Sequence, residues 1–169
     1  KYIMQKSSSD PVIIVVPSDH LIEDKEKFLA TVKKGKELAE QGYIVTFGIE
    51  PNYPETGYGY INTDGKLDDG FKVKEFVEKP NLETAKKYLS AGTYYWNSGI
   101  FMFKASTLFA EAEKHAPQIA EISKEFDFTT KNEIPFVNFD KMPSISIDYA
   151  IMEKSDKIAL VKLMSDWND

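Results

Sequence analysis

The segment Val12–Val16 most constrains the fold, because five consecutive β-branched residues favour a strand that is buried on both faces. Such strands are typical of parallel sheets covered by helices, and Pro17 ends this one since it has no N–H to donate. Ligands of open α/β sheets bind outside the carboxyl ends of the strands, where Ser18 and Asp19 follow. Asp19 could there hold a hard cation such as Mg2+, which takes phosphate oxygens as further ligands. Equally, Ser18 or Asp19 could only cap the next helix.

The next elements predict an α/β fold. Asp24 is a candidate N-cap for a helix from about Lys25 to Gln41, which Gly42 ends. The segment Tyr43–Ile49 is then the second strand. A strand, a helix and a strand with connections this short predict a right-handed βαβ unit. We therefore expect a mixed, mainly parallel sheet flanked by helices.

Further strands and helices alternate along the rest of the chain. The segment Asn62–Gly65 is predicted to be a turn between two strands. The later predicted elements are a strand over Phe71–Lys79, a helix over Leu82–Ala91 capped by Asn81 and ended by Gly92, a strand over Tyr94–Lys104, helices over about Ser106–His115 and after Pro117, a helix through Lys154, and a strand over Ile158–Leu163.

Composition excludes several classes of function. The chain has 169 residues, a net charge of −6 and no basic run of five or more, which argues against a nucleic-acid-binding surface. Small anions can still bind at a few cations or helix N-termini. The absence of cysteine excludes disulfides, zinc–thiolate sites and thiol nucleophiles. No apolar run has membrane-spanning length, so we expect a cytoplasmic protein.

Polar residues stand at turns and strand ends, where a sheet of this type gathers its site. Gly57 and Gly59 allow backbone to approach a ligand, or they belong to an ordinary loop. Glu78 and Lys79 suit sugar hydroxyls and a phosphate if they face a crevice; otherwise they are end-of-strand charges. Asn97 offers the donor and the acceptor that a vicinal diol requires, or it only forms a turn.

The end of the chain supplies candidate metal ligands. Asp166 and Asp169 are carboxylates, and one of them would complete a cation site if it met Asp19. Their distance along the sequence leaves this open. His20 and His115 have no paired ligand at metal spacing, so we interpret them as packing and helix-end residues.

Six stretches follow one another in this order: Pro17–Ile22, Glu55–Ile61, Phe76–Pro80, Trp96–Phe101, Ser146–Glu153 and Asp166–Asp169. Together they closely resemble the bacterial mannose-1-phosphate guanylyltransferases, also called GDP-mannose pyrophosphorylases. The resemblance extends from Asp10 to Asp169. It implies a Rossmann-like nucleotidyltransferase fold that joins GTP and mannose 1-phosphate into GDP-mannose, releases pyrophosphate and uses Mg2+.

The resemblance also implies residue roles. It makes Asp19 and Asp169 the metal-binding pair. The implied substrate-binding residues are Gly59, whose amide meets the sugar, Glu78, which binds sugar hydroxyls, Lys79, which binds the sugar phosphate, Asn97, which binds the sugar, and Asp148 within its motif.

The implied mechanism needs no protein nucleophile, in agreement with the absence of cysteine. An oxygen of the sugar phosphate attacks the α-phosphorus of GTP in line, and pyrophosphate leaves. Catalysis then depends on positioning and on charge neutralisation by Mg2+ and Lys79.

The chain departs from the family pattern at its ends. The family begins with a strand and a glycine-rich loop containing G-x-G-x-R, which cradles the nucleotide phosphates; this chain has no such loop. We expect residues 1–169 to form a partial nucleotidyltransferase domain that is inactive alone. Loss of a first strand would expose a sheet edge, so we also expect homo-oligomers or low stability.

Two other functions remain open. One is a related sugar-1-phosphate nucleotidyltransferase that uses another base or sugar. The other is a non-catalytic module that binds a sugar nucleotide. The missing glycine-rich loop favours the module for the chain as given, whereas the two metal-binding aspartates that the resemblance implies favour an enzyme as the parent protein, because simple ligand binding needs no second carboxylate.

Overall fold

The computed structural model describes residues 1–128, 134, 139–165 and 167–168, and for residue 168 the backbone alone. The strands are β1 Val12–Val15, β2 Leu21–Ile22, β3 Ile44–Ile49, β4 Tyr60–Leu67, β5 Gly70–Val77, β6 Tyr94–Lys104, β7 Ile158–Lys162 and β8 Trp167–Asn168. The helices are α1 Tyr2–Lys6, α2 Lys25–Glu40, α3 Leu82–Ala91, α4 Ala105–His115 and α5 Pro117–Lys124, with a π-helical turn at Asp148–Met152.

The helices α2 and α3 begin and end where the capping residues predict. The Asp24 side chain accepts a hydrogen bond of 3.0 Å from the backbone N–H of Lys27 at the start of α2. The Asn81 side chain accepts one of 2.9 Å from the N–H of Thr84 in α3. Gly92 ends α3 with a left-handed φ of +66°, a conformation that glycine adopts without strain. Capping residues close in sequence therefore determine where these two helices begin and where α3 ends.

Six strands form a mixed sheet in the order β1-β6-β3-β7-β5-β4, with the start of β6 also paired to β4. This confirms a mixed sheet flanked by helices, but the expected majority of parallel pairs is wrong. In the described part of the chain, β3 and β7 form the one parallel pair of this sheet. The reason is β6, which lies between β1 and β3 and runs antiparallel to both. The predicted βαβ strands are thus parallel but not neighbours.

Strand β1 lies at an edge of the sheet, and its predicted burial on both faces is wrong. Ile14, Val15 and Val16 are 38%, 46% and 53% exposed. Among the described strands β1 has β6 as its neighbour on one side and no strand on the other. Strand β1 is therefore an edge strand of this sheet among the described residues.

The turn predicted at Asn62–Gly65 is wrong as well, because β4 continues through it to Leu67. Gly65 has φ +79° and lies in an irregular part of the β4–β5 ladder, where the register shifts between Thr63 and Lys66. The chain turns only after Leu67, which pairs with Gly70 at the start of β5. A glycine bulge therefore produced the turn signal.

Helices cover both faces of the sheet. On one face, Leu38 of α2 packs with Phe47 and Met102 in a buried cluster. On the other face, Phe103 packs with Ala112 of α4, Ala120 of α5 and the buried residues of the π-helical turn. In the described part of the chain, no helix is long and apolar enough to cross a membrane. The two layers hold the carboxyl end of β5 and the middle of β6 in fixed positions.

Candidate functional site

A cavity of about 200 Å3 gathers five of the residues that the sequence predicts for the site. They come from distant parts of the chain: the segment before β4, the segment after β5, the middle of β6 and the start of the π-helical turn. The five residues are Gly59, Glu78, Lys79, Asn97 and Asp148.

Glycine is required at position 59 because the side chains of Glu78 and Asn97 lie close to its backbone. A Cβ at this position would lie 2.6 Å from Glu78 Oε2 and 3.3 Å from Asn97 Cβ. The Gly59 carbonyl also accepts a hydrogen bond of 2.8 Å from the N–H of Asn97. The absence of a side chain therefore lets the Glu78 carboxylate and Asn97 lie against the same backbone.

Lys79 combines a strained backbone with an exposed charge. Its φ is +47°, the one positive φ of a non-glycine residue in the described ranges. This conformation costs a non-glycine residue roughly 1–2 kcal/mol, and such strain is typical of functional sites. The ammonium lies 3.4 Å from Glu78 Oε1, with the lysine side chain 61% exposed and the glutamate side chain 12% exposed. The ammonium can thus reach an anion in the cavity.

Asn97 is held by a hydrogen-bond network that fixes its amide. Its Oδ1 accepts from Thr46 Oγ1 at 3.1 Å and from the N–H of Gly99 at 3.2 Å. Its Nδ2 donates to Asp148 Oδ1 at 3.3 Å. Because two donors occupy the carbonyl oxygen, the group that remains for a ligand is the second N–H of Nδ2. The Asn97 carbonyl oxygen, which the sequence analysis offered to a vicinal diol, is thus occupied by donors of the protein itself.

Thr46 is a site-supporting residue that no sequence pattern singled out. It lies on β3, is fully buried, and donates its hydroxyl proton to Asn97. Buried polar groups need hydrogen-bond partners, so one polar residue inside the apolar run Ile44–Phe47 was the available signal.

The carboxylates of the cavity are shifted toward their protonated forms. Burial raises the pKa of Glu78, and the nearby charge of Asp148 adds to this. Burial also raises the pKa of Asp148, while Lys79 partly opposes the shift. Glu153 raises both pKa values further. A ligand with hydroxyl donors and a phosphate would satisfy these carboxylates and the Lys79 ammonium together.

Asp19 lies beside the cavity, and its predicted partner falls outside the described residues. Asp19 is exposed in the bend after β1, and Pro17 and His20 on either side of it line the cavity. Asp169 is not among the described residues. Two residues beyond Asp19, Leu21 pairs with the backbone of residue 168 in the small β2–β8 sheet.

The described residues include no group of three or more histidine, cysteine or acidic side chains that could hold a metal ion. A Mg2+ ion that also binds substrate phosphates requires one or two protein carboxylates. Asp19 is one such group, and it lies beside the cavity. The two-stranded sheet pairs the backbone of residue 168 with Leu21, in the segment that follows Asp19.

Aromatic side chains form one wall of the cavity. Tyr58 contacts Trp96 and Trp167 edge-on, with ring centroids 5.5 Å apart in both pairs. The Trp167 indole N–H donates to His20 Nδ1 at 3.1 Å. These contacts connect the segment that contains Tyr58 and Gly59 to the β2–β8 sheet. The aromatic wall therefore lies between the polar residues of the cavity and the bend at Asp19.

The chain is similar to known proteins over nearly its whole length. The family model described as nucleotidyl transferase matches residues 1–169. The chain is 46% identical over 169 residues to the xanthan biosynthesis protein XanB of Xanthomonas campestris pv. campestris strain B100, covering 97% of this chain and 36% of that protein. It is 40% identical over 172 residues to the mannose-1-phosphate guanylyltransferase of Escherichia coli K12, covering 95% of this chain and 36% of the relative.

A solved structure also matches over nearly the whole chain. The crystal structure described as mannose-1-phosphate geranyltransferase from Thermus thermophilus superimposes with a TM-score of 0.87 at 30% identity. The match covers 99% of this chain and 48% of that one. The chain therefore spans about 36% of the length of these two curated relatives and about half of the Thermus thermophilus chain.

Proposed function

The chain belongs to the nucleotidyl transferase family, and from this premise we propose that it carries the sugar-phosphate part of a mannose-1-phosphate guanylyltransferase. The observation that carries the proposal is the convergence of Gly59, Glu78, Lys79, Asn97 and Asp148 on one cavity. The reaction joins mannose 1-phosphate to the guanylyl group of GTP and releases pyrophosphate. A relative that is 40% identical bears the name of this enzyme.

In this proposal the sugar lies between the polar groups that face the cavity. The Glu78 carboxylate accepts hydrogen bonds from sugar hydroxyls, and the remaining N–H of Asn97 Nδ2 donates to a hydroxyl oxygen. The Lys79 ammonium binds the phosphate, since it is exposed and carries three donors. Lys79 thereby holds the attacking phosphate oxygen in line with the α-phosphorus of GTP.

Mg2+ is the cofactor that fits the proposed chemistry. Asp19 and Asp169 supply hard carboxylate oxygens, the ligand type that Mg2+ takes together with substrate phosphates. Support comes from the exposure of Asp19 beside the cavity and from the pairing of Leu21 with residue 168. When bound, the ion supplies neutralisation of phosphate charge.

The test is pyrophosphate release with Mg2+, GTP and mannose 1-phosphate. It compares this chain with a longer chain in which a relative's amino-terminal segment, containing G-x-G-x-R, precedes Lys1. Other nucleoside triphosphates and sugar 1-phosphates are included. We expect GTP- and mannose 1-phosphate-dependent release by the longer chain. Release with a different pair would indicate a related nucleotidyltransferase, and a folded but silent longer chain would indicate a binding module.

Lys79→Ala in the longer chain provides the residue-level test. We expect a KM for mannose 1-phosphate that is higher by about tenfold or more, with the KM for GTP little changed, because one charge-assisted contact to the phosphate is lost. Lys154→Ala is a matched control, since Lys154 is an exposed lysine that does not line the cavity. Equal KM values for mannose 1-phosphate in Lys79→Ala and the control would contradict the phosphate role.

A further inference from the structure

We propose that Glu153 is a positioning residue for Lys79: its carboxylate holds the Glu78–Lys79 backbone in place relative to Asp148. The catalytic consequence of this inference rests on the proposed function, whereas the structural part does not. Glu153 does not line the cavity, so it acts through Glu78 and Lys79 and not on the substrate.

One hydrogen bond joins the two parts of the site. Glu153 Oε1 accepts from the backbone N–H of Glu78 at 3.1 Å, between residues 75 positions apart in the chain. The acceptor is a carboxylate oxygen, which makes stronger, charge-assisted hydrogen bonds with backbone N–H groups. It attaches the end of β5, where Glu78 and Lys79 follow Val77, to the segment after the π-helical turn.

The same residue also contacts the backbone of Asp148. The N–H of Glu153 donates to the Asp148 carbonyl at 3.0 Å. Ile151 and Met152, just before Glu153, are 5% and 1% exposed and anchor the turn in the core. Glu153 thus joins a fixed part of the core to the Glu78–Lys79 segment, and its two bonds set the spacing of that segment from Asp148.

The backbone at Lys79 needs such a restraint. Its left-handed φ of +47° is strained for a lysine, and the residue precedes Pro80, which favours an extended conformation. Strained conformations persist only where surrounding contacts hold them. The hydrogen bond to Glu153 acts on the residue immediately before the strained one.

The negative charge of Glu153 disfavours ionisation of the neighbouring acids, an effect that an uncharged hydrogen-bond acceptor would not have. It raises the pKa of both Glu78 and Asp148, the two acidic groups on which the Lys79 ammonium acts in the opposite direction. Glutamine would accept the same hydrogen bond without the charge. Replacement by glutamine therefore separates the backbone restraint from the electrostatic effect.

The first experiment measures amide hydrogen exchange by NMR in this chain and needs no substrate. In Glu153→Ala we expect the Glu78 amide to exchange about tenfold faster, because it loses one hydrogen bond to a charged acceptor. Glu153→Gln should restore most of the protection. Unchanged exchange at Glu78 in Glu153→Ala would overturn the proposal whatever the protein's activity.

The second experiment measures steady-state kinetics in the longer chain. Glu153→Ala should raise the KM for mannose 1-phosphate about tenfold with little change in the KM for GTP, whereas Glu153→Gln should remain near the unsubstituted value. Glu121→Ala serves as a control, because this exposed glutamate pairs with Lys124 on α5 and neither residue lines the cavity. A general loss of folding would lower the apparent kcat and leave both KM values unchanged, and an unchanged KM for mannose 1-phosphate in Glu153→Ala would overturn the proposal.

The two experiments fail in distinguishable ways. If the unsubstituted longer chain folds but has no activity with any substrate, the proposed function is wrong, and the exchange of the Glu78 amide alone decides whether Glu153 restrains the Glu78–Lys79 segment. If the unsubstituted chain is active and Glu153→Ala matches it, the positioning role is wrong while the proposed function stands.

Discussion

Gly59 lies where the backbone before β4 passes against the Glu78 carboxylate, and no side chain fits there. We predict that Gly59→Ala displaces that carboxylate, because the new Cβ would lie 2.6 Å from Glu78 Oε2. The end of a glutamate side chain can move, so the fold should persist. Affinity for mannose 1-phosphate, measured by isothermal titration calorimetry, should fall about tenfold, as expected for one misplaced charged partner.

Gly42→Ala is the matched control for this prediction. Gly42 follows α2 with φ +93° and has no atoms within 4 Å of an added Cβ. The substitution should cost about 1 kcal/mol of stability through backbone strain and leave ligand affinity unchanged. Equal affinity in Gly59→Ala and Gly42→Ala would contradict the role of the close approach.

The buried acids predict a specific dependence of stability on pH. Burial raises the pKa of Asp148, so the folded chain binds this proton more tightly than the unfolded chain does. The stabilisation from protonation is complete below about pH 4 and is lost as the pH rises through the pKa of the folded state. Asp148→Asn removes this titration, and its amide oxygen can still accept from Asn97 Nδ2.

The measurement is the unfolding temperature of the chain and of Asp148→Asn from pH 4 to neutrality. The variant should gain stability relative to the unsubstituted chain as the pH rises. The pKa of Glu78 should also decrease in the variant, because the charge of Asp148 contributes to raising it. Two stability curves that run parallel across this range would contradict the prediction.

At the scale of elements, Thr46 connects β3 to β6 through Asn97. We predict that Thr46→Val keeps the packing but leaves Asn97 Oδ1 without one of its donors, which should cost about 1 kcal/mol of unfolding free energy. The amide is then less fixed, so affinity for mannose 1-phosphate should also fall. Urea unfolding and calorimetry test the two effects.

Thr46→Ser provides the control, because it keeps the hydroxyl and removes a methyl group. Serine should restore ligand affinity, even though the lost methyl lowers stability by roughly 1 kcal/mol. If valine and serine have the same affinity for mannose 1-phosphate, the hydroxyl does not position Asn97.

Elements with local signals were predictable from the sequence, and elements that depend on distant partners were not. The ends of α3 follow from Asn81 and Gly92, which act within one turn of the helix. The burial of β1 was mispredicted because burial depends on which strands flank it, and β6 comes about 80 residues later. The bulge at Gly65 looks like a turn because both use a glycine with positive φ.

The candidate site shows the same division. The motif resemblance named the five residues that gather at the cavity. The partners that hold them, Thr46 and Glu153, were not identified. A buried threonine hydroxyl and a glutamate that accepts from a backbone N–H show no periodicity or spacing, since only the folded chain brings donor and acceptor together. Asp169 remains a prediction.

At the scale of the whole molecule, the edge strand β1 determines how copies of this chain should interact. Its backbone edge is unpaired among the described strands, and Ile14, Val15 and Val16 are exposed along it. Unpaired apolar edges are templates for pairing with another chain. A larger open cavity of about 590 Å3, partly lined by Val12 and Ile14, adjoins this strand. We therefore expect concentration-dependent self-association.

Val15→Lys tests this expectation, because a charged side chain on an edge strand opposes pairing with a second strand. The substitution should lower the weight-average mass measured by sedimentation velocity across a range of concentrations. Val15 is already 46% exposed, so the unfolding temperature should change little. Leu82→Lys is the control: Leu82 is 48% exposed on α3, and its replacement adds the same charge on a helix that does not line the cavity beside β1. If both variants reduce association equally, net charge and not β1 controls it.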